Sequence, residues 1–194
     1  MSFFDLFRRP AGRQPSPEDT EIPRYPPFVK GLPVPPTQEI LQSQDQLIGD
    51  ISQALGCTHA VFDEMVRPLI VRYAEYVHLL PASERHHHRG AGGLFRHGLE
   101  VAFHAARASR DKLYAMDRDK RDRDLIAMRW RIAATAAGLC HDVGKPAYDM
   151  SVIDRDGTHT WEPGKNTIVQ WARANHIDRY FIRWREQRHS KHEK

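Results

Sequence analysis

The chain has 194 residues, 40% apolar and 28% charged, a length and balance that suit one globular domain with a sizeable core and long polar edges. Its formal charge of +4 and pI near 9.2 are a mild bias rather than a strongly basic arm. No apolar run approaches the eighteen or so residues that span a bilayer, and "MSFFDLFRRP" lacks the apolar core of a secretory signal, so a cytoplasmic location is expected.

Residues 10–36, "PAGRQPSPEDTEIPRYPPFVKGLPVPP", hold most of the prolines, which excludes a helix or a central strand there. Residues 1–36 are therefore expected to be an extended proline-rich arm, and residues 37–194 a helical domain. From Thr37 the pattern turns helical, with Ile40, Leu47, Ile51 and Leu55 at helical spacing, Thr37 as N-cap and Gly56 as the stop. A second helical stretch follows Thr58, and Pro68 must kink or split it. The loop "HLLPASERHHHRGAGG" comes next, broken by proline and clustered glycines. A third helix is expected from about Leu94 to Met116, then a solvated turn "DRDKRDRD", then a fourth helix from about Asp124 to His141. The last two turns of that fourth helix are apolar nearly all round, which predicts a central position. Past Gly144, "SVIDRDGTHTW" alternates around Asp156-Gly157 and predicts a β-hairpin. A last helix near Thr167–Ala174 precedes a basic, aromatic tail. Cys57 and Cys140 read as small core residues rather than a disulfide pair.

Neutral imidazole ligates zinc, iron, nickel and manganese, and carboxylate completes sites for harder ions. His141 and Asp142 are adjacent in "GLCHDVGKP". Helix neighbours point about 100° apart, so this pair shares an ion most easily from the last turn of a helix, with Gly144 as C-terminal cap. The partial negative charge of a helix C-terminus favours a cation there, and Lys145 is placed to meet a phosphate. A third ligand must come from elsewhere. His97 and His104 sit on nearly the same face of the third helix but roughly 10 Å apart along its axis, too far to share an ion through bonds of about 2 Å. His97 is the choice, because the glycine loop before it admits a substrate closely.

These residues carry a resemblance. "FRHGLEVA" followed by "HDVGK" resembles the first half of the HD metal-dependent phosphohydrolase signature. The longer run His78, Pro81, Ala82, Ser83, His86, His87, His88, Gly92, Gly93, His97 and Glu100 is similar to the pattern of TraI-type MOBH relaxases, the conjugative nickases of plasmids and integrating elements. The resemblance spans roughly Tyr25 to Lys194. It implies a mainly α fold, an HD-domain-like helical bundle, here with one small β-hairpin and the extended arm. It implies metal ligation by His97, His141 and Asp142 with a divalent ion such as Mn, Mg, Fe or Zn, and a functional role for His86, His87 and His88. Alternate side chains of an extended loop diverge, so at most two of those three should reach the site, for phosphate contact, general acid duty or a second metal. Such sites gain further ligands downstream. His189 and His192 are the candidates to begin that set, and the domain is expected to be C-terminally incomplete.

In the tail "DRYFIRWREQRHSKHEK", Tyr180, Phe181 and Trp184 interleave with Arg179, Arg183, Arg185 and Arg188. Aromatics stack on unpaired bases while arginines follow the backbone, so Arg183, Trp184, Arg185 and Arg188 are candidate DNA contacts; the other reading is an amphipathic segment that packs its aromatics on the core. The expected activity is metal-dependent nicking of DNA at a transfer origin, an endonuclease or phosphodiesterase reaction, with relaxosome or coupling proteins as further partners. The alternatives are an HD-type nucleotide phosphohydrolase and a catalytically incomplete DNA-binding or relaxosome docking module. No G-x-x-x-x-G-K-[S/T] phosphate loop is present in the sequence.

Overall fold

In the computed structural model, which describes residues 30–84 and 86–185, the stretch expected to be one helix from Thr37 is two, α1 (Thr37–Gln42) and α2 (Asp45–Leu55). Ser43 makes the break: its Oγ donates to the Ile40 carbonyl at 2.7 Å and draws that acceptor out of the helical ladder. Pro36, not Thr37, occupies the N-cap. Gly56 ends α2 in the left-handed conformation, φ 64°, as a residue without Cβ can. Pro68 splits the next stretch into α3 (His59–Met65) and α4 (Arg67–Val77). It sits in the first turn of α4, where its missing N–H costs nothing.

Two long helices follow, α5 (Gly93–Arg110) and α6 (Lys120–Cys140). Helix α5 buries Leu94, Phe95, Leu99, Ala102 and Ala106 against α2 and α4. The charged run expected as a turn is one only over residues 117–119; from Lys120 it is the first turn of α6, because the Asp119 side chain accepts from Asp122 N–H and caps it. Helix α6 is not central, contrary to the apolar character of its end. Only Thr135 and Leu139 are buried on it, and it lies along the outside of α5. The reason is size: the alanines and Gly138 of "IAATAAGLC" bury little area each and serve close approach instead. A Cβ on Gly138 would stand 3.0 Å from the Val101 carbonyl oxygen.

The predicted hairpin is corrected to a three-stranded antiparallel sheet, order β1 (Leu32–Pro33), β3 (Arg179–Trp184), β2 (Met150–Ile153). The chain does turn at Gly157, φ 73°, with Asp154 N–H on the His159 carbonyl. That turn carries one isolated bridge, Ile153 to Thr160; Pro163 and Gly164 follow at once and cannot extend a ladder. The ladder partner of β2 is instead β3, the segment read as a tail. Two further short helices complete the fold, α7 (Lys145–Tyr148) and α8 (Ile168–Ala174), the latter opened by a reciprocal Thr167–Gln170 cap. The end of the proline-rich stretch joins the domain: Leu32 is buried and Pro33 sits on the sheet edge, where a missing donor is tolerated.

His78 ties three of these pieces together. Fully buried just past the end of α4, it donates from Nε2 to the Pro35 carbonyl (3.1 Å), while its Nδ1 accepts from the Tyr180 hydroxyl (2.9 Å). That hydroxyl in turn accepts from Leu79 N–H. The arrangement requires a neutral ring, and burial pulls the His78 pKa down from 6.5 to about 4 against the pull of the Pro35 carbonyl. The unfolded chain takes up a proton near pH 6.5 and the native one only near pH 4, so this contribution is whole above pH 6.5 and is lost as the pH falls toward 4. Urea unfolding across that window should show the stability gap between wild type and His78→Gln narrowing by about 1.4 kcal/mol per pH unit; a gap independent of pH would rule out the neutral tether.

Candidate metal centre

His97 lies in the second turn of α5, His141 is the C-cap of α6, and Asp142 follows it. Their ligand atoms converge: His97 Nε2 to His141 Nε2 is 3.1 Å, His97 Nε2 to Asp142 Oδ2 is 3.5 Å, and His141 Nε2 to Asp142 Oδ2 is 3.4 Å. Two ligands on one ion can be no farther apart than twice a bond of about 2.1 Å, and all three edges fall inside that limit. Two imidazoles and a carboxylate are also a donor set that first-row divalent ions accept. The residues present therefore fit a metal ion, and these three could hold one.

The orientation of the ligands is built locally. His141 Nδ1–H donates to the Gly138 carbonyl at 2.8 Å, which puts the lone pair on Nε2, facing the cluster. Burial lowers the His97 pKa, and the neighbouring His88 and His141 lower it further against Asp142 and Glu100, so its ring is neutral and free to ligate near neutral pH. The approach of the two helices rests on two glycines. A Cβ on Gly98 would lie 2.6 Å from the Tyr73 ring and 2.9 Å from the Leu139 carbonyl oxygen, and Gly138 meets Val101 and Ala105 with as little room. The chain leaves α6 without the left-handed cap expected at Gly144. That residue has φ −76° and starts α7, so successive turns carry Asp142 back over the helix end.

Of the three consecutive histidines, His86 and His87 face solvent and His88 turns inward. The His88 ring lies 5.1 Å from the His97 ring, and its Nε2–H donates to Glu100 at 3.1 Å. Burial alone would raise the Glu100 carboxyl; the hydrogen bonds and charges of His88 and Arg96 outweigh it and hold the group below its usual range. The loop is folded by Ser83, whose Oγ accepts from His86 N–H and donates to the His87 carbonyl. It presses so closely on α5 that a Cβ on Gly93 would overlap the His88 carbonyl oxygen, 1.9 Å away. Lys145 Nζ reaches Asp142 at 3.9 Å and Asp149 at 3.5 Å.

The sequence-predicted DNA contacts fall elsewhere. Arg183 and Trp184 end β3 and Arg185 follows it, bonded through its backbone to Asp149. Arg183 and Arg185 are exposed. Tyr180, read as a possible base-stacking residue, is fully buried in the core. Arg188, His189 and His192 lie outside the described residues. Sequence reasoning named Glu100 only as part of the resemblance, with no role at the site, and missed Tyr73. Glu100 was legible as a residue three positions from His97 on the same helix face. Tyr73 gave no signal: its buried hydroxyl comes from α4, has no hydrogen-bond partner among the described residues, and has its pKa raised by burial and then by the charge of Asp142.

The cluster is open, its three side chains between 24% and 34% exposed. Two concavities of about 560 and 440 Å³ lie elsewhere, lined by the Pro33–Pro36 stretch with α8 and by α2 with α3. Replacing Gly98 by alanine must push α5 away from Tyr73 and Leu139. Overpacking of this kind costs about 1–3 kcal/mol, so Gly98→Ala should melt several degrees lower and bind Mn or Zn more weakly in calorimetry. Unchanged metal affinity would show that the crossing does not set the cluster.

No curated protein matches the chain. Among the described residues no helix is long and apolar enough to cross a membrane. A family model, TraI_2, described as "Putative helicase", matches residues 31–194. That match takes in the sheet and the helices of the described residues, the histidine loop and the three candidate ligands His97, His141 and Asp142, and by it the chain belongs to the TraI_2 family.

Proposed function

We propose that this chain is the metal-dependent nicking region of a conjugative relaxase of the MOBH type, built on an HD-like helical scaffold. The observation that carries the reading is the convergence of His97, His141 and Asp142 from two helices within 3.1–3.5 Å at an open surface. A small-molecule phosphohydrolase would want an enclosed pocket, whereas the three side chains of the cluster are each about a quarter to a third exposed and line neither of the two concavities described above. Membership of a conjugative-transfer family and the arginine-rich composition favour DNA as substrate.

In this reading His97, His141 and Asp142 hold a divalent ion. Such an ion supplies Lewis-acid stabilisation of charge on the phosphodiester. An oxygen nucleophile forms a new bond to phosphorus, the bond to the leaving 3′ oxygen breaks, and that oxygen takes up a proton. Lys145 brings a cation for a non-bridging phosphate oxygen to the same edge. His88, its Nε2–H fixed on Glu100, is the member of the histidine run placed to orient His97 or contact the phosphate; His86 and His87 lie on the exposed side of the loop, where an approaching strand would meet them. Tyr148 on α7 is 74% exposed and within six residues of Asp142, which makes it the candidate hydroxyl nucleophile in place of water.

The test uses supercoiled plasmid bearing the cognate transfer origin and protein containing this region. Nicking should need a divalent ion, stop with chelator, and fall at least about 100-fold, the scale of an essential electrostatic group, in His141→Ala and Asp142→Ala. Tyr148→Phe should abolish a covalent protein–DNA adduct if tyrosine attacks, and leave the rate unchanged if water does. Nicking undiminished in both metal-ligand variants would remove the reading.

A further inference from the structure

Midway along α6, on the side of the loop that joins it to α5, the Tyr114 and Trp130 rings lie parallel, 6° between planes and 6.2 Å between centroids. Trp130 is 58% exposed on a helix whose neighbours could have covered it. The pair is held in place: the Tyr114 hydroxyl bonds to the Ser109 carbonyl at the end of α5, and Arg131 Nη2–H donates to the Arg110 carbonyl beside it. From Arg107 to Arg131 the sequence carries nine arginines and lysines against five aspartates, a surplus equal to the formal charge of the whole chain, +4. Arg107, Arg110, Lys112, Arg121 and Arg129 are exposed there.

Trp130 also begins a stripe. Trp130, Ala133, Ala137 and His141 follow at intervals of three and four residues, and all are exposed, so they form one outward face of α6. Eleven residues separate its ends, roughly 16 Å along the axis. An aromatic platform thus stands at one end, low-relief alanines in the middle, and a metal-ligating imidazole at the other.

We propose that the Tyr114–Trp130 platform is a binding site for single-stranded DNA that holds the strand a few nucleotides from the cleavage centre. The inference rests on the nicking reading for its direction along α6, though the binding itself does not. The exposed Trp130 ring, backed by the half-buried Tyr114, favours an unpaired strand, because only unstacked bases offer their faces to an aromatic side chain, and the surrounding cations suit its phosphates. A protein partner would take the rings but has no use for the surplus positive charge unless it is acidic.

The experiment is fluorescence anisotropy with a labelled oligothymidine, in chelator so that the metal centre takes no part. Wild type should bind the single strand more tightly than a duplex of equal length, with affinity falling as salt rises. Trp130→Ala and Tyr114→Ala should each weaken binding about 5- to 100-fold, the range seen when a base-stacking ring is removed, while Trp130→Phe retains most of it. Circular dichroism should show unchanged melting for Trp130→Ala, since the ring is outside the core. Equal affinity of Trp130→Ala and wild type, a preference for duplex, or a wild-type dimer that Trp130→Ala dissolves without touching oligonucleotide binding would each overturn the platform. Wild-type nicking with and without metal, measured in parallel, separates the two ideas: loss of the platform with metal-dependent nicking intact sinks only this inference, and oligonucleotide binding through Trp130 without nicking sinks only the other.

Discussion

The close crossing of α5 and α6 is the constraint on which the candidate centre depends. Helix axes separate by 8–10 Å according to the side chains between them, and here glycines and alanines occupy the contact. Gly98 is the neighbour of His97, and Gly138 supplies the carbonyl that fixes the His141 ring. The residues that permit the approach are thus those beside the ligands. The widest ligand separation is 3.5 Å, so an added gap of about 1 Å would carry that pair past twice a metal–ligand bond. A larger residue at either glycine would act on the chemistry by geometry alone.

That crossing is made at the edge of the best-packed part of the molecule. The core lies between α2, α4, the buried face of α5 and the sheet, whereas α6 contributes two buried residues. Shape, not apolar area, holds α6 in register. On the proposed reading an ion shared by α5 and the end of α6 would be a third fastening, and its binding free energy would add to the stability of the assembled pair, since the separated ligands have lower affinity. The His78 tether is a separate fastening that joins Pro35, α4 and β3 through one neutral ring. Its backbone has φ 43°, an unfavourable value for a residue with a Cβ, which the surrounding hydrogen bonds must hold.

What could be read from sequence was local. The spacing of apolar residues located the start of α5 and the end of α6 to within a residue but ran α5 six residues too far and began α6 four residues late; helical rise excluded His97 and His104 as joint ligands, and the glycine loop before His97 chose between them. The same reasoning placed α6 in the centre, because an alanine-rich run and a core-facing run look alike in periodicity; only contact distances tell small residues that bury area from small residues that admit a neighbour. The sheet was hidden for a different reason. Asp156-Gly157 does make its turn, but the strand that pairs with β2 arrives from Arg179 onward, and no local signal distinguishes a strand that pairs with its neighbour from one that waits for a later segment. Tyr180 in the core and Tyr73 beneath the cluster are also contacts across many residues of chain, and each was invisible to a reading that moves along it.

The openness of the cluster has a consequence for the kind of substrate it can serve. An enclosed site gains binding energy by surrounding a small molecule, as pockets that bury most of a ligand do. A surface site whose ligands are a quarter to a third exposed must draw that energy from contacts away from the reacting phosphate, and catalysis can use remote contacts of this sort to hold the reacting atoms in place. On the proposed reading a polymeric substrate provides them, which a free nucleotide does not. The exposed face of α6 joins the cluster to a basic and aromatic region without leaving one helix, so a strand lying along it would be positioned by a rigid element rather than by a loop.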